Sequence, residues 1–386
     1  MDIIGKRIWQ VAAGDTNRNY ADLCLKWDVI LNGPGSAGKW PSCAKILSAE
    51  WKTSARKVTD LKRFCEEIKE GDIVVLRIGT TDVFGVGITV GGYEWSSEFG
   101  DVDGWDLHHV RRVRWLWKAP QDPRYPKRFD TYTMKLGDTV QSLDSQVVLD
   151  WITQLEISPS EFNRKLENLP PSNEDPHPGT VTIDEISDYL FDNGMASDSI
   201  LSLVDEIGEL IRIAKWYQRA IDPSESETIA YLTIPLLRAL GWTPQKMAIE
   251  WKKVDIALFS HLPRYDENLA VVVEAKQKNS ACLSSRSQAQ DYAVKKGREG
   301  CRRLIVTDGL RYGVYVRQGL QFPSEPQAYL NLTRMRREYS IYGCGGTKEA
   351  LLLMSPDWEL GLTEKLKIQI KQTSPITDSD NVDQLI

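Results

Sequence analysis

VDIALF (residues 254–259) and LAVVVEAKQ (residues 269–277) are two apolar runs of strand length that carry charges an apolar strand would otherwise avoid. Val271-Val272-Val273 is a β-branched run of the kind that makes a buried strand. Side chains alternate faces along a strand, so Glu274 and Lys276 share one face, roughly 7 Å apart, and Ala275 points the other way. If residues 254–259 pair beside this strand, Asp255 joins them at the strand ends. Two carboxylates and an ammonium at the edge of an apolar sheet are what a divalent-metal phosphodiesterase site requires. Mg²⁺ (or Mn²⁺) prefers oxygen ligands, keeps several waters, and is held by one or two carboxylates plus substrate phosphate oxygens. Asp255 and Glu274 are the candidate metal ligands, and Lys276 would orient a water or offset charge developing on the phosphate. The plainer reading of a Glu-x-Lys at a strand end is a surface ion pair, worth ~0–1 kcal/mol.

The surroundings favour the chemical reading. Upstream stands SESETIAYLTIPLLRALGW (224–242), and downstream SQAQDYAVKKGREGCRRLIVTDGLRYGVYV (287–316). In this order the motifs resemble the PD-(D/E)xK nuclease superfamily, in particular the N-terminal nuclease domain of type I restriction motor subunits and its free-standing relatives. The matching positions are Glu225, the run Pro235 to Trp242, Asp255, Glu274, Lys276, Gln288 with Tyr292, and Thr307-Asp308-Gly309. AYLNLTRMRREY, from Ala328, resembles the extension that follows such domains, and the likeness covers residues 222–356. It departs from the pattern at Val254, where the family often has Pro. The resemblance implies a restriction-endonuclease-like α/β core with Asp255, Glu274, Lys276, Glu225 and Gln288 catalytic, the first two holding the metal. Each added residue has a plainer role. Glu225, three after Asp222 with Pro223 between, fits a capping box; Gln288 and Tyr292, one helical turn apart, could merely pack. Pro235 is expected to kink or break its helix, and Gly241 to cap the end.

Composition sets bounds. A chain of 386 residues with 41% hydrophobic residues allows two or three domains with real cores. No apolar run approaches the ~20 residues of a membrane span, and MDIIGKRIWQ lacks a secretory pattern, so a cytoplasmic protein is expected. The six cysteines form no C-x-x-C and the four histidines do not cluster with them, which argues against zinc and for reduced thiols. A net charge of −6 argues against indiscriminate nucleic-acid adhesion but not against a locally basic cleft. GPGSAGKW lacks the Ser or Thr after Lys39 that a P-loop needs.

The N-terminal region reads differently. Strand-like runs end at Ala12-Ala13-Gly14 and Leu31-Asn32-Gly33, a helix is expected over VTDLKRFCEEIKEGD, and Gly79-Thr80-Thr81-Asp82 suggests a hairpin turn. The opening WQVAAG, then FCEEIKEGDIVVLR, GVGITVGGYEW and HVRRVRWL resemble the PUA-like group of modified-base readers, specifically the EVE-type domain fused to restriction nucleases. The likeness covers residues 5–118 and is expected to continue through TMKLGDTVQSLDS to about Thr153. It implies a mixed β-barrel that takes an extruded base. Nine of thirteen tryptophans lie before residue 152, and aromatic stacking on a base is worth about 1–3 kcal/mol. Trp9 and Trp115, in strands, are assigned to packing. Asn32, Trp40, Tyr93 and Trp95, in or beside loops, are the base-binding candidates, although Asn32 could simply build its turn. His108, His109, Arg111, Arg112 and Arg114 offer phosphate contacts where they face solvent.

ENLPPSNEDPHPGTV (167–181) reads as a linker, and Ile200, Leu203, Ile207, Leu210, Ala214 and Tyr217 form the stripe of an amphipathic helix. The stripe would either pack on the nuclease domain or join two copies, and a homodimer is expected because paired cuts are most simply made by two sites. The expected fold is α/β and α+β: a PUA-like reader over 1–153, a helical linker over 154–221, a PD-(D/E)xK core over 222–356 and a tail over 357–386 disordered at its end. The expected function is modification-dependent cleavage of double-stranded DNA carrying a modified base, with modified cytosine favoured. Two alternatives remain: a defence nuclease whose PUA-like domain senses modified RNA or a nucleotide signal, and an inactive DNA-binding module.

Overall fold

The chain divides into two units, Met1–Pro178 and Gly179–Ile386. The computed structural model describes residues 5–14, 18–80, 82–119, 138–143, 146–172, 175 and 179–359. Most of the tail expected to be disordered lies outside these, as do parts of the 133–145 extension and of the 167–181 linker.

The N-terminal unit holds β1 (Ile8–Ala12), α1 (Ala21–Trp27), β2 (Val29–Asn32), α2 (Cys43–Ala49), α3 (Ala55–Lys62), β3 (Ile73–Ile78), β4 (Asp82–Trp95), β5 (His109–Lys118), β6 (Val140–Leu143) and α4 (Gln146–Thr153). Its strands form one mixed sheet in the order β2-β5-β4-β3-β1-β6, in which only β1 and β3 run parallel. The hairpin expected at Gly79–Asp82 joins β3 to β4. β4 is bent by register shifts at Val86/Gly87 and Val90/Tyr93. A Cβ on Gly87 would sit 2.5 Å from Val113 Cγ1, so this glycine answers to close strand packing at a bulge. Trp9 and Trp115 are buried, their indole N–H groups donating to Asp72 Oδ2 at 2.8 Å and the Cys24 carbonyl at 3.1 Å. His108, His109 and Arg111 are buried rather than available to phosphate. Arg111 donates to the Phe64 and Cys65 carbonyls, Arg112 to that of Glu167, and Arg114 to that of Arg164. These arginines satisfy carbonyls left over at helix and loop ends.

The C-terminal unit holds α5 (Ile183–Asp192), α6 (Ser197–Arg219), α7 (Glu225–Thr228), α8 (Ile234–Ala239), β7 (Met247–Trp251), β8 (Val254–Phe259), β9 (Leu269–Ala275), α9 (Arg286–Ala293), β10 (Arg303–Thr307), β11 (Arg311–Val316), β12 (Ala328–Asn331), β13 (Glu338–Tyr339), β14 (Cys344–Gly345) and α10 (Thr347–Met354). Its sheet runs β13-β14-β12-β11-β10-β9-β8-β7. The central pair β9–β10 is parallel, and β7–β8, β8–β9, β10–β11 and β11–β12 are antiparallel. Val271, Val272 and Val273 are all fully buried, as a strand covered on both faces requires.

Two expectations are corrected. Residues 154–221 are not a helical linker: Arg164 pairs with buried Asp28 at 2.6 Å inside the first unit, while α5 and α6 belong to the second. Of the two readings open to the α6 stripe, the structure shows packing within its own unit. Ile200, Leu203, Ile207, Leu210 and Ala214 pack in one apolar cluster with Leu236, Ile256, Val273 and Leu351. Pro235 does not break its helix either. It follows a π-helical turn, Ile229–Thr233, which accommodates the missing N–H while the chain continues into α8. Gly241, at φ +105°, ends that helix as expected. The architecture is mixed α/β with two mixed sheets, and no helix among the described residues is long and apolar enough to cross a membrane.

Candidate functional site

Antiparallel pairing sets Ile256 of β8 opposite Val273 of β9, and one step further along the same register Asp255 stands across from Glu274. Asp255 Oδ2 accepts the Ala275 N–H at 2.8 Å, and Lys276 Nζ donates to Glu274 Oε1 at 3.0 Å. Glu274 is 1% exposed and its Oε2 has no hydrogen-bond partner. Burial, then the neighbouring Asp255 charge, pushes the Glu274 carboxyl up to about 7 against the pull of Lys276. Burial raises Asp255 as well. Burial opposes the Lys276 ammonium, but its bond to Glu274 and the charges of Glu274, Glu225 and Asp255 outweigh this and raise its pKa. The three residues therefore meet, as expected, in a partly desolvated, electrostatically coupled cluster.

Glu225 comes to the cluster from the first turn of α7, exposed, with its charge acting on both Glu274 and Lys276. The capping box here uses Ser224 and Glu227 instead of Asp222 and Glu225, which leaves the Glu225 carboxylate uncommitted to the helix end. The loop after β9 fixes this helix start. Gln277 Nε2 donates to the Pro223 carbonyl, Lys278 Nζ to Asp222, and the Lys278 N–H to Thr228 Oγ1, at 3.0, 3.0 and 3.1 Å. Thr307-Asp308-Gly309 braces the same loop. The Thr307 carbonyl accepts the Lys276 N–H at 2.8 Å, and Asp308, paired with Arg311, accepts the Asn279 N–H at 2.9 Å. Gly309, at φ +83°, lies where a Cβ would come 2.7 Å from Leu232 Cβ.

Gln288 is exposed on α9, and among the described residues no hydrogen bond joins it to Asp255, Glu274 or Lys276. Tyr292 is half-buried with Lys295 over its ring at 4.8 Å. Glu250 was missed. It is exposed on β7, between the pairs Ile249–Ile256 and Trp251–Val254, and its charge raises Asp255. Its signal was the one that revealed Asp255, a charge inside an apolar strand. Among the described residues no group of three or more His, Cys, Asp or Glu side chains is placed to hold a metal ion. The two carboxylates, with the orphaned Oε2, nonetheless suit an ion that takes most of its ligands from water and phosphate.

In the N-terminal unit a cavity of about 550 Å³ is lined by residues that include Tyr20, Asn32, Lys57, Arg77, Trp105 and Asp106. Of the four base-binding candidates only Asn32 lines it; Trp40, Tyr93 and Trp95 do not. Those three instead hold the loop after β2. The Trp40 N–H donates to Tyr93 Oη at 3.1 Å, and Tyr93 O–H reaches His109 Nδ1 at 2.8 Å. Trp95 Nε1 donates to the Gly35 carbonyl at 3.0 Å and its ring stacks on His108 at 4.8 Å. Only Trp40 belongs to that loop; Tyr93 and Trp95 reach it from the end of β4, and an aromatic that grips a loop looks the same in sequence as one that lines a cage. The aromatics of the lining are Tyr20 and Trp105, edge-on to each other at 5.3 Å, with the Arg18 guanidinium over the Trp105 ring at 5.0 Å.

Residues 9–144 match a family described as a domain of unknown function, DUF8426. The match runs from β1 to β6 and includes every residue that lines the cavity. No curated protein and no solved structure gives a significant match to the chain.

Proposed function

We propose that this protein is a modification-dependent DNA endonuclease. In this reading its C-terminal unit, a PD-(D/E)xK core, hydrolyses phosphodiester bonds, and its N-terminal unit, a PUA-like barrel, takes a modified base extruded from the duplex. One observation carries the reading: Asp255, Glu274 and Lys276, which no requirement of strand formation explains, meet at paired strand ends with a buried Glu274 oxygen left unpartnered. A buried polar atom without a partner is costly, and such atoms concentrate where a ligand completes the site.

Asp255 and Glu274 would hold Mg²⁺, which when bound supplies polarisation of the phosphate and a more acidic water. Lys276 keeps its proton, since three carboxylates surround it, and is placed to offset charge on the phosphate or to orient the attacking water. Asp255 is held in place by the Ala275 N–H, so little reorganisation is needed on binding. Glu225 adds a second carboxylate layer from α7. The 550 Å³ cavity falls inside the about 300–1,000 Å³ range of small-ligand sites and has both an aromatic wall and buried polar groups, the parts needed to stack on a base and to tell it from others.

The test is Mg²⁺-dependent cleavage of matched duplexes carrying unmodified, methylated, hydroxymethylated or glucosylated cytosine. Cleavage confined to one or more modified duplexes is expected. Equal cleavage of all four would remove the reader role, and no cleavage of any nucleic acid would remove the nuclease.

A further inference from the structure

The loop that follows β9 sends side chains to two places. Lys276 donates to Glu274 in the candidate site at 3.0 Å. The next three residues go to the start of α7. Lys278 Nζ and Asn279 Nδ2 both donate to Asp222 Oδ1 at 3.0 Å, and Gln277 Nε2 donates to the Pro223 carbonyl at 3.0 Å. Asp222 and Pro223 stand just before Ser224, the N-cap of α7, so these side chains hold the chain immediately ahead of Glu225. The Lys278 N–H ties the same turn from its other end through Thr228 Oγ1 at 3.1 Å, and the Thr228 hydroxyl donates to the Ser224 carbonyl at 2.9 Å. The loop itself is anchored, since the Thr307 carbonyl accepts the Lys276 N–H and Asp308 accepts the Asn279 N–H. Lys278 is the odd member of this set. Its side chain is fully buried, while Asp222, the carboxylate it pairs with, is exposed. Burying an ammonium for one exposed partner is a poor way to stabilise a fold, because an apolar side chain of similar size avoids the desolvation cost.

We propose that Lys278 is a positioning residue for the metal site: through Asp222 it holds the start of α7 so that Glu225 reinforces the grip of Asp255 and Glu274 on a divalent cation. The charge of Glu225 acts on both Glu274 and Lys276, and the cap of α7 uses Ser224 and Glu227, which leaves Glu225 for this task. A carboxylate outside the ligand pair adds negative charge and an acceptor for the cation's waters, and partners of that kind change metal affinity by about 10–100-fold. Lys278 supplies no ligand and acts only through the helix start. The inference rests on reading the C-terminal unit as a metal-dependent phosphodiesterase.

The test uses the full chain, its Lys278→Met and Glu225→Gln variants and the double variant, each checked for fold by circular dichroism and urea unfolding. Mn²⁺ binding without DNA is followed by the electron paramagnetic resonance signal of the free ion, and duplex cleavage is measured across a Mg²⁺ series. Wild type is expected to retain Mn²⁺, Glu225→Gln to weaken it by about tenfold and Lys278→Met by about three- to tenfold. In the double variant the loss should match that of Glu225→Gln alone to within about twofold, because a residue that acts through Glu225 has nothing left to position. In Lys278→Met the Mg²⁺ concentration for half-maximal cleavage should rise by the same factor as the Mn²⁺ loss, with the rate at saturating Mg²⁺ within about threefold of wild type. A merely structural lysine would instead shift the unfolding midpoint in both backgrounds and leave Mn²⁺ affinity alone. Gln277→Ala with Asn279→Gly cuts the other two side-chain bonds and suits the φ of +71° at position 279, so it reads the same coupling if Lys278→Met does not fold. Unchanged Mn²⁺ affinity in the folded variant, or a loss that multiplies with that of Glu225→Gln, overturns the assignment while leaving the phosphodiesterase reading intact. A folded wild type that retains no Mn²⁺ and cuts no duplex overturns that reading, and the assignment with it.

Discussion

In the C-terminal unit, three charged groups that lie between residues 255 and 276 meet at the ends of neighbouring strands. In the N-terminal unit, the cavity lining is drawn from residues spread between Ala12 and Thr139, on strand ends, a helix and loops. The first site is fixed by backbone pairing: once β8 and β9 are in register, Asp255 and Glu274 have nowhere else to be. The second depends on side chains that orient one another, such as Lys57 on Asn32 or Tyr20 and Arg18 on Trp105. A site built on register should lose chemistry when a charge is removed and keep its shape. A site built on side-chain contacts should change in selectivity before it loses binding.

The largest expected effect tests the first half of that contrast. Asp255→Ala and Lys276→Ala should each lower Mg²⁺-dependent cleavage by at least ~10²–10³-fold, with duplex affinity changed by less than about threefold. Single-turnover rates beside binding curves decide it, and parallel losses in both would mean that the variants unfold or release DNA instead. The scaffold beneath comes next. Leu203→Ala, in the buried α6 stripe, should cost about 2–5 kcal/mol of C-terminal unit stability in urea unfolding. Leu203→Glu with Leu210→Glu should then give an unfolded unit, not a folded enzyme that nicks. A stable double variant with altered oligomeric state would return the stripe to the surface.

How much of this was legible in the sequence follows the same divide. Val271–Val273 is a β-branched run inside β9, and Glu274 and Lys276, at the strand's end and one residue past it, are spaced by two, so the strand and the shared face could be read directly. The braces were not legible. Lys278 on Asp222 is an ordinary polar pair until the fold brings together residues 56 positions apart, whereas Ser224 with Glu227 is a local S-x-x-E pair whose competition with Asp222 and Glu225 for the helix start only the fold decides. Asn32 was found because it stands beside a Gly-Pro turn, whereas Trp105 gave no local cue that separates a cavity wall from core. The α6 stripe was visible as a stripe, but its partner was not, since periodicity reports that a face is apolar and not what covers it.

Two smaller effects sharpen the contrast inside the N-terminal unit. Trp95→Phe loses the bond to the Gly35 carbonyl but touches no cavity wall, so it should lower the melting temperature by a few degrees and change base preference less than about twofold. A large loss of preference would put Trp95 back in the site. His109 is buried between Tyr93 and the Pro34 carbonyl, and burial pushes its pKa down to about 4. The unfolded chain, titrating near 6.5, then binds the proton first. Stability from neutral His109 is therefore full above about pH 6.5 and is lost as pH falls toward 4. Unfolding curves at pH 7 and pH 5 should show the N-terminal unit weakened at the lower pH, and less so in His109→Gln. An equal loss in both would assign the pH effect to other groups.

The most direct measurement of the central claim compares wild type with Glu274→Ala on one duplex carrying a modified cytosine, with Mg²⁺ present and binding followed in parallel. Wild type should cut and Glu274→Ala should bind without cutting. Cleavage by Glu274→Ala at the wild-type rate would contradict the assignment of Asp255, Glu274 and Lys276 as a phosphodiesterase site.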